Sequence, residues 1–171
     1  LSGVMRLRAG DVVTIFNGRD GAWSASLLEA GKRGGSLMPD AQTGPQRNPP
    51  DLWLLFAPIK KARTVFIVEK AAEMGAARIL PVQTDHTNSE RIRQDRLQAH
   101  AVEAAEQCGG TFVPEVADLA PLSRLLDGWD GTRRILWADE AHIGPAAALA
   151  ELPPGPWAIL IGPEGGFSAA E

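Results

Sequence analysis

Cysteine is almost missing from this chain. Cys108 stands alone, which rules out an intrachain disulfide and a cysteine metal cage. The three histidines, His86, His100 and His142, lack the short spacing of a metal-ligand set, so no metal is expected. Long apolar runs are missing too. The longest, Leu52 to Ile59 and Trp157 to Ile161, fall far short of the roughly 20 residues a membrane helix needs. No basic stretch followed by an apolar one opens the sequence, so no secretion signal is read there, and a cytoplasmic location is expected. There is no internal repeat and no low-complexity tract. A basic surplus is also lacking: 17 Lys and Arg face 21 Asp and Glu, for a net charge of −4. Phosphate-binding proteins commonly show the opposite balance. The positive charge that exists is gathered, however, at Arg6 and Arg8, at Lys60, Lys61 and Arg63, and at Arg91, Arg93 and Arg96. Each cluster reads either as a solvated face or as a local footprint for nucleic acid.

What remains is an ordinary globular composition, 44% hydrophobic and 22% charged over 171 residues, enough for one domain or two small ones. Residues 4–30 read as β structure. Val12 to Phe16 forms one apolar run, Asn17-Gly18 and Asp20-Gly21 supply turn chemistry, and Trp23 to Leu28 alternates as the return strand. Residues 31–50 are rich in Gly, Pro and polar side chains, with room for one strand at Ser36 to Met38 and then a linker. A domain boundary is expected near residue 50, giving domains 1–50 and 51–171. Beyond it strands and helices alternate. Strands are predicted at Trp53 to Ala57, Arg78 to Val82, Phe112 to Val116, Arg134 to Ala138 and Trp157 to Ile161. Helices are predicted at Ala62 to Met74 with Gly75 as its cap, Arg91 to Cys108, Pro121 to Leu126 and Pro145 to Leu152. Val65, Val68, Ala72 and Met74 are expected on the inner face of the first helix, and Leu97, Ala101, Ala104 and Ala105 on that of the second. This interleaving implies an α/β fold with a parallel sheet covered on both faces.

The most informative segment is Ile159-Leu-Ile-Gly162-Pro163-Glu164-Gly165-Gly166-Phe167-Ser168. An apolar strand runs into a glycine-rich turn, and Ser168-Ala-Ala-Glu171 then has the form of a capping box. Ligands of parallel α/β sheets bind outside the carboxyl ends of strands, and glycines allow a ligand to lie directly on the backbone. The turn is not a P-loop, because no Gly-Lys-Ser/Thr follows, and its glycine spacing is not that of a dinucleotide fingerprint. By itself it also reads as a plain strand-to-helix turn.

Gly162-Pro163-Glu164-Gly165-Gly166-Phe167 after an apolar strand resembles the RsmE family of SPOUT methyltransferases. Further segments carry the same resemblance in the same order: Leu7-Arg8-Ala-Gly10-Asp11 with Phe16-Asn-Gly18; Lys70-Ala-Ala-Glu73-Met-Gly75 before Ile79-Leu-Pro81-Val; and Glu106-Gln107-Cys108-Gly109 before Val113-Pro114-Glu115. The resemblance implies a small PUA-like β-barrel followed by a trefoil-knotted, parallel-sheet methyltransferase domain. It implies S-adenosyl-L-methionine (SAM) as cofactor, N3 of a uridine in 16S rRNA as target, the 30S subunit or its RNA as partner, and a homodimer. It makes Gly162, Pro163, Glu164, Gly165 and Gly166, with Trp137, Ala138 and Asp139 at the end of another strand, the residues expected to hold SAM. Two departures stand out. Gly110-Thr111 follows Gly109, where the family has arginine. The family's Leu-Arg-x-Glu-Thr segment, which threads the knot and carries a functional arginine, would lie beyond Glu171. With Leu1 in place of a starting Met, both ends read as cut.

Methylating uridine N3 requires loss of a weakly acidic proton and alignment of the nitrogen with a methyl donor. Glu164 is the ionisable group in the turn: a catalytic base, an acceptor for the cofactor, or a brace for the loop. Arg8, Lys60, Lys61, Arg63, Thr84, His86, Asn88 and Arg91 are the expected RNA contacts, the middle ones because they follow strand ends. Lys70 and Glu73, three apart on one helix, read as an ion pair. Glu106 and Gln107 read as buried polar groups satisfying nearby backbone, or as RNA or active-site contacts. Cys108 reads as a small buried hydrophobe, and the tryptophans as core. Two other functions fit the same sequence: a SPOUT methyltransferase acting on another RNA base, and an RNA-binding module without catalysis.

Overall fold

The computed structural model describes residues 7–31, 34–87, 91–138 and 154–171. The chain divides into two compact units, residues 1–48 with 109–112, and residues 49–108 with 113–171.

The first unit is built on a three-stranded antiparallel sheet in the order β1 (Val12–Phe16), β2 (Ala22–Gly31), β3 (Gly34–Gly44). Strand β3 is far longer than the short Ser36 to Met38 strand expected. Its residues are nearly all exposed, so there was no apolar alternation to read. Register shifts against β2 let the strand continue through Pro39, which lies opposite Ala25. Residues 109–112 join this unit, and Thr111, which is buried, accepts a hydrogen bond from the Arg47 N–H at 3.0 Å. That is why the expected strand from Phe112 shrinks to β6, Glu115–Val116.

The second unit is an α/β domain. Its elements are β4 (Leu52–Phe56), α1 (Lys61–Glu73), β5 (Arg78–Gln83), α2 (Gln94–Cys108), β6, β7 (Ala120–Pro121), α3 (Leu122–Asp127), β8 (Arg134–Ala138) and β9 (Trp157–Ile161). The strands pair in parallel in the order β6-β5-β4-β9-β8, and β7 extends the pairing of β5. Successive strand residues face opposite sides, and the core divides accordingly. Phe56 and Ile79 pack with Val68, Ala71, Leu97 and Ala101 under α1 and α2. Leu55, Leu80, Val82, Ala158 and Leu160 pack with Leu122 on the other face. The expected helix Pro145 to Leu152 lies outside the described residues, as do Asn88 and Asp139.

Helix α2 buries the four residues expected of it but begins at Gln94 rather than Arg91. Gln94 and Gln98 turn to β6 instead: Gln98 accepts from the Val116 N–H at 2.9 Å, and Gln94 donates to the Val116 carbonyl at 2.7 Å. Helix α1 buries Thr64, Val68 and Ala71, so its inner stripe is rotated from the expected one, and Met74 is 85% exposed. Met74 is the C-cap. The chain then reverses at Gly75 (φ +85°), with Gly75 N–H bonded to Ala72 O and Ala76 N–H to Ala71 O. This is a Schellman termination; Met74 itself keeps a helical backbone and is exposed because its position lies off the Thr64–Val68–Ala71 stripe. Cys108, Glu106 and Gln107 are exposed at the end of α2, not buried as expected. Lys70 and Glu73 do pair, at 2.7 Å.

Candidate active site

The sheet order places the chain reversal between β4 and β9, with β5 reached on one side and β8 on the other. Crevices at such points, outside the carboxyl ends of the strands, are where parallel sheets bind ligands. The glycine-rich turn leaves β9 there. Together with the end of β8 it borders a cleft of about 610 Å³, to which Trp137, Ala138, Gly162, Pro163, Gly165 and Gly166 contribute. That volume lies within the range of small-molecule sites.

Local chemistry explains the shape of the turn. Gly166 has φ +69°, a left-handed conformation that a side chain would strain, and its N–H closes onto the Pro163 carbonyl at 2.9 Å. Gly162 is required for a different reason. The Phe167 ring folds back over it, so that a Cβ at position 162 would lie 2.7 Å from a ring carbon. The same ring meets Trp137 edge to face, with centroids 5.1 Å apart. Trp137 is still 48% exposed and Ile161 43%. Trp137 is therefore a wall of the cleft rather than the core residue expected.

Three further contacts hold the turn. Glu164 does not line the cleft; its Oε1 accepts from Arg63 Nη1 at 2.9 Å, an ion pair reaching to the first turn of α1. His86 Nδ1 lies 3.2 Å from the Gly165 carbonyl and 3.3 Å from that of Gly166. Ser168 Oγ donates to Asp85 at 2.7 Å, while Glu171 accepts from the Asp85 N–H at 2.9 Å and the Ser168 N–H at 3.0 Å. The Glu171 half of the capping box is thus formed, but the serine hydroxyl is spent on Asp85.

The family pattern described as RNA methyltransferase domain matches residues 46–171, and that described as RNA methyltransferase PUA domain matches residues 4–36. The chain belongs to the RNA methyltransferase family. A ribosomal RNA small subunit methyltransferase E from Rickettsia conorii is 26% identical over 98% of this chain and 69% of its own length. Among solved structures, a ribosomal RNA small subunit methyltransferase E from Neisseria gonorrhoeae bound to S-adenosyl methionine superposes with a TM-score of 0.81 at 24% identity, covering 99% of this chain and 72% of that one. A methyltransferase from Legionella pneumophila in complex with SAM gives 0.81 at 25% identity, covering 99% and 72%.

In this methyltransferase the residues expected to contact RNA are differently placed from one another. Lys60, Lys61 and Arg63 are exposed at the carboxyl end of β4 and the start of α1. Thr64 locks that corner, donating to Ile59 O at 3.0 Å and accepting from Ile59 N–H at 3.1 Å. Arg91 is exposed ahead of α2, and Arg8 is exposed in the first unit. Thr84 is 5% exposed, and its hydroxyl and N–H both bond to Thr87 Oγ1, at 2.8 and 2.9 Å. It braces a turn. Neither the Arg63–Glu164 pair nor the His86 contact was legible in the sequence, where these partners stand 101, 79 and 80 residues apart. Among the described residues no cluster of His, Cys, Asp and Glu is arranged to hold a metal, and no helix is long and apolar enough to cross a membrane.

Proposed function

We propose that the protein is a SAM-dependent methyltransferase that modifies N3 of a uridine in 16S rRNA. The observation that carries the reading is the glycine-rich turn of β9 set against the end of β8, with residues of both bordering one cleft. The donor set suits an adenosyl cofactor: side-chain-free backbone at Gly162, Gly165 and Gly166, and an aromatic wall at Trp137. The names of the Rickettsia and Neisseria relatives, and SAM in the Neisseria and Legionella structures, support cofactor and substrate alike.

SAM, when bound, supplies an electrophilic methyl group. The chain's own residues then have three tasks. The turn Gly162–Gly166 would hold the cofactor through backbone groups, with Trp137 and Ala138 as the other wall of the cleft. Lys60, Lys61 and Arg91 meet RNA phosphates at the carboxyl end of the sheet, where a cation would also favour the uridine anion formed when N3 gives its proton to solvent. Glu164, held by Arg63, braces the turn, which weakens its claim to be the base.

The first unit serves as the RNA-binding PUA-like barrel, with Arg8 among its contacts, and the substrate is the 30S subunit or its RNA in the cytoplasm. The insertion of β9 between β4 and β8 supports a trefoil-knotted SPOUT topology. The apolar exposure of Trp137 and Ile161 beside the cleft supports a second copy of the chain as the covering surface. The test is calorimetry with SAM, followed by methyl transfer to 16S rRNA and to 30S subunits lacking the modification, mapped by mass spectrometry. One N3-methyluridine is expected. Methylation of another base would redirect the reading within the same enzyme class, and RNA binding that ignores SAM, without transfer, would leave an RNA-binding module.

A further inference from the structure

The loop after β5 grips the glycine-rich turn from across the sheet. Strand β4 lies between β5 and β9, yet residues 84–87 reach past its end to the turn. Three hydrogen bonds brace the loop internally: Thr84 N–H to Thr87 Oγ1 at 2.9 Å, Thr87 N–H to the Thr84 carbonyl at 3.1 Å, and one between the two threonine hydroxyls at 2.8 Å. Asp85 and His86 then face the turn. Asp85 is tied to Ser168 and Glu171 at its far end. His86 Nδ1 sits between the carbonyls of Gly165 and Gly166, at 3.2 and 3.3 Å.

A carbonyl oxygen only accepts. The ring nitrogen that bonds to them is therefore the donor, so Nδ1 is the nitrogen that carries a proton. His86 is not among the residues bordering the cleft, whereas Gly165 and Gly166 are. The contact thus reaches both glycines from the β5 loop, through a side chain that does not border the cleft. Glycine is the residue type whose peptide planes rotate most freely, so two adjacent glycines need an external restraint to present one face.

We infer that His86 is a positioning residue for the cofactor: its Nδ1–H locks the Gly165 and Gly166 peptide planes in the orientation that receives SAM. This rests on the reading of the cleft as the SAM site. It assigns His86 to the cofactor rather than to RNA, the role its place after a strand end suggested.

The experiment uses the full chain and its His86→Ala, His86→Asn and His86→Asp variants. Asparagine keeps an N–H donor at the δ position, whereas aspartate replaces the donor with an acceptor. SAM affinity is measured by calorimetry, and KM and kcat separately for SAM and RNA. Losing one hydrogen bond and its preorganisation corresponds to a rise of about tenfold in Kd and KM for SAM in His86→Ala. The expected kcat at saturating SAM stays within about twofold, and KM for RNA does not move. His86→Asn recovers most of the affinity, and His86→Asp is weaker than His86→Ala. Long-range proton–nitrogen NMR of the neutral ring is expected to show the proton on Nδ1. Unchanged SAM affinity in His86→Ala, or a KM effect on RNA alone, overturns the assignment while leaving the SAM reading intact. Absence of SAM binding by the unaltered chain overturns the SAM reading and the assignment with it.

Discussion

Arg63 and Glu164 join the start of α1 to the turn after β9, with Nη1 and Oε1 2.9 Å apart. Their side chains are 68% and 60% exposed, so water competes for both and the pair adds at most about 1 kcal/mol to stability. Its effect lies in geometry, because it fixes the middle residue of the glycine-rich turn. Arg63→Ala and Glu164→Gln are each expected to leave the urea midpoint nearly unchanged and to weaken SAM binding by several-fold. If the two act as one brace, the double variant is no worse than either single one. Additive losses in calorimetry would mean that Arg63 and Glu164 meet cofactor or RNA independently.

Gly162 and Phe167 make a second pair whose fit can be tested. A Cβ at 162 would fall 2.7 Å from the Phe167 ring, and that ring is also wedged against Trp137. Gly162→Ala must displace the ring, at a cost of about 1–3 kcal/mol, and should weaken SAM binding by tenfold or more. Gly162→Ala with Phe167→Leu restores room and should recover part of the loss. A double variant binding worse than Gly162→Ala would show that the ring itself, not the crowding, matters to the cleft.

Much of this architecture was legible because burial dictates period. Strands β4, β5, β8 and β9 are short apolar runs flanked by breakers, and Leu97, Ala101, Ala104 and Ala105 mark one helix face. The glycine-rich turn was legible for a similar reason, since few sequences set that many glycines directly after a buried strand. What escaped was whatever depends on exposed polar atoms. Strand β3 has almost no buried side chain to set a rhythm. The contacts of Arg63, Asp85 and His86 join loops brought together only by the strand order. Polar pairs between distant loops leave no periodic trace in the chain, so the cleft could be guessed while its supports could not.

At the opposite end of the sheet, Arg133 acts as a staple. It is 8% exposed. It donates to the Asp51 carbonyl at 3.2 Å, the Trp157 carbonyl at 3.1 Å and the Asp51 carboxylate at 2.9 Å, and it lies 3.8 Å above the Trp53 ring. Removing it strips hydrogen bonds from two carbonyls and a cation from an indole face. Arg133→Ala is expected to cost about 2–4 kcal/mol in urea unfolding, while the folded fraction binds SAM as before. A comparable loss of SAM affinity at temperatures where the variant is fully folded would show that the two ends of the sheet are coupled.

Asp130 offers a test by pH in the turn leading to that staple. Its carboxylate accepts from the Thr132 hydroxyl at 2.7 Å and from the Thr132 N–H at 2.9 Å. These bonds, the hydroxyl's first, hold its pKa below the ordinary value of 3.8. A carboxyl whose pKa is lowered on folding binds protons more readily in the unfolded chain. Its contribution to stability is therefore present above the unfolded value and is lost as pH falls through the folded one. In an NMR titration the Asp130 side chain should titrate below 3.8. Thr132→Val, which removes the larger influence and keeps the backbone donor, should move it part of the way back. A midpoint unchanged by Thr132→Val would assign the shift to the backbone N–H and to the charge of Arg133, the remaining influences that lower it.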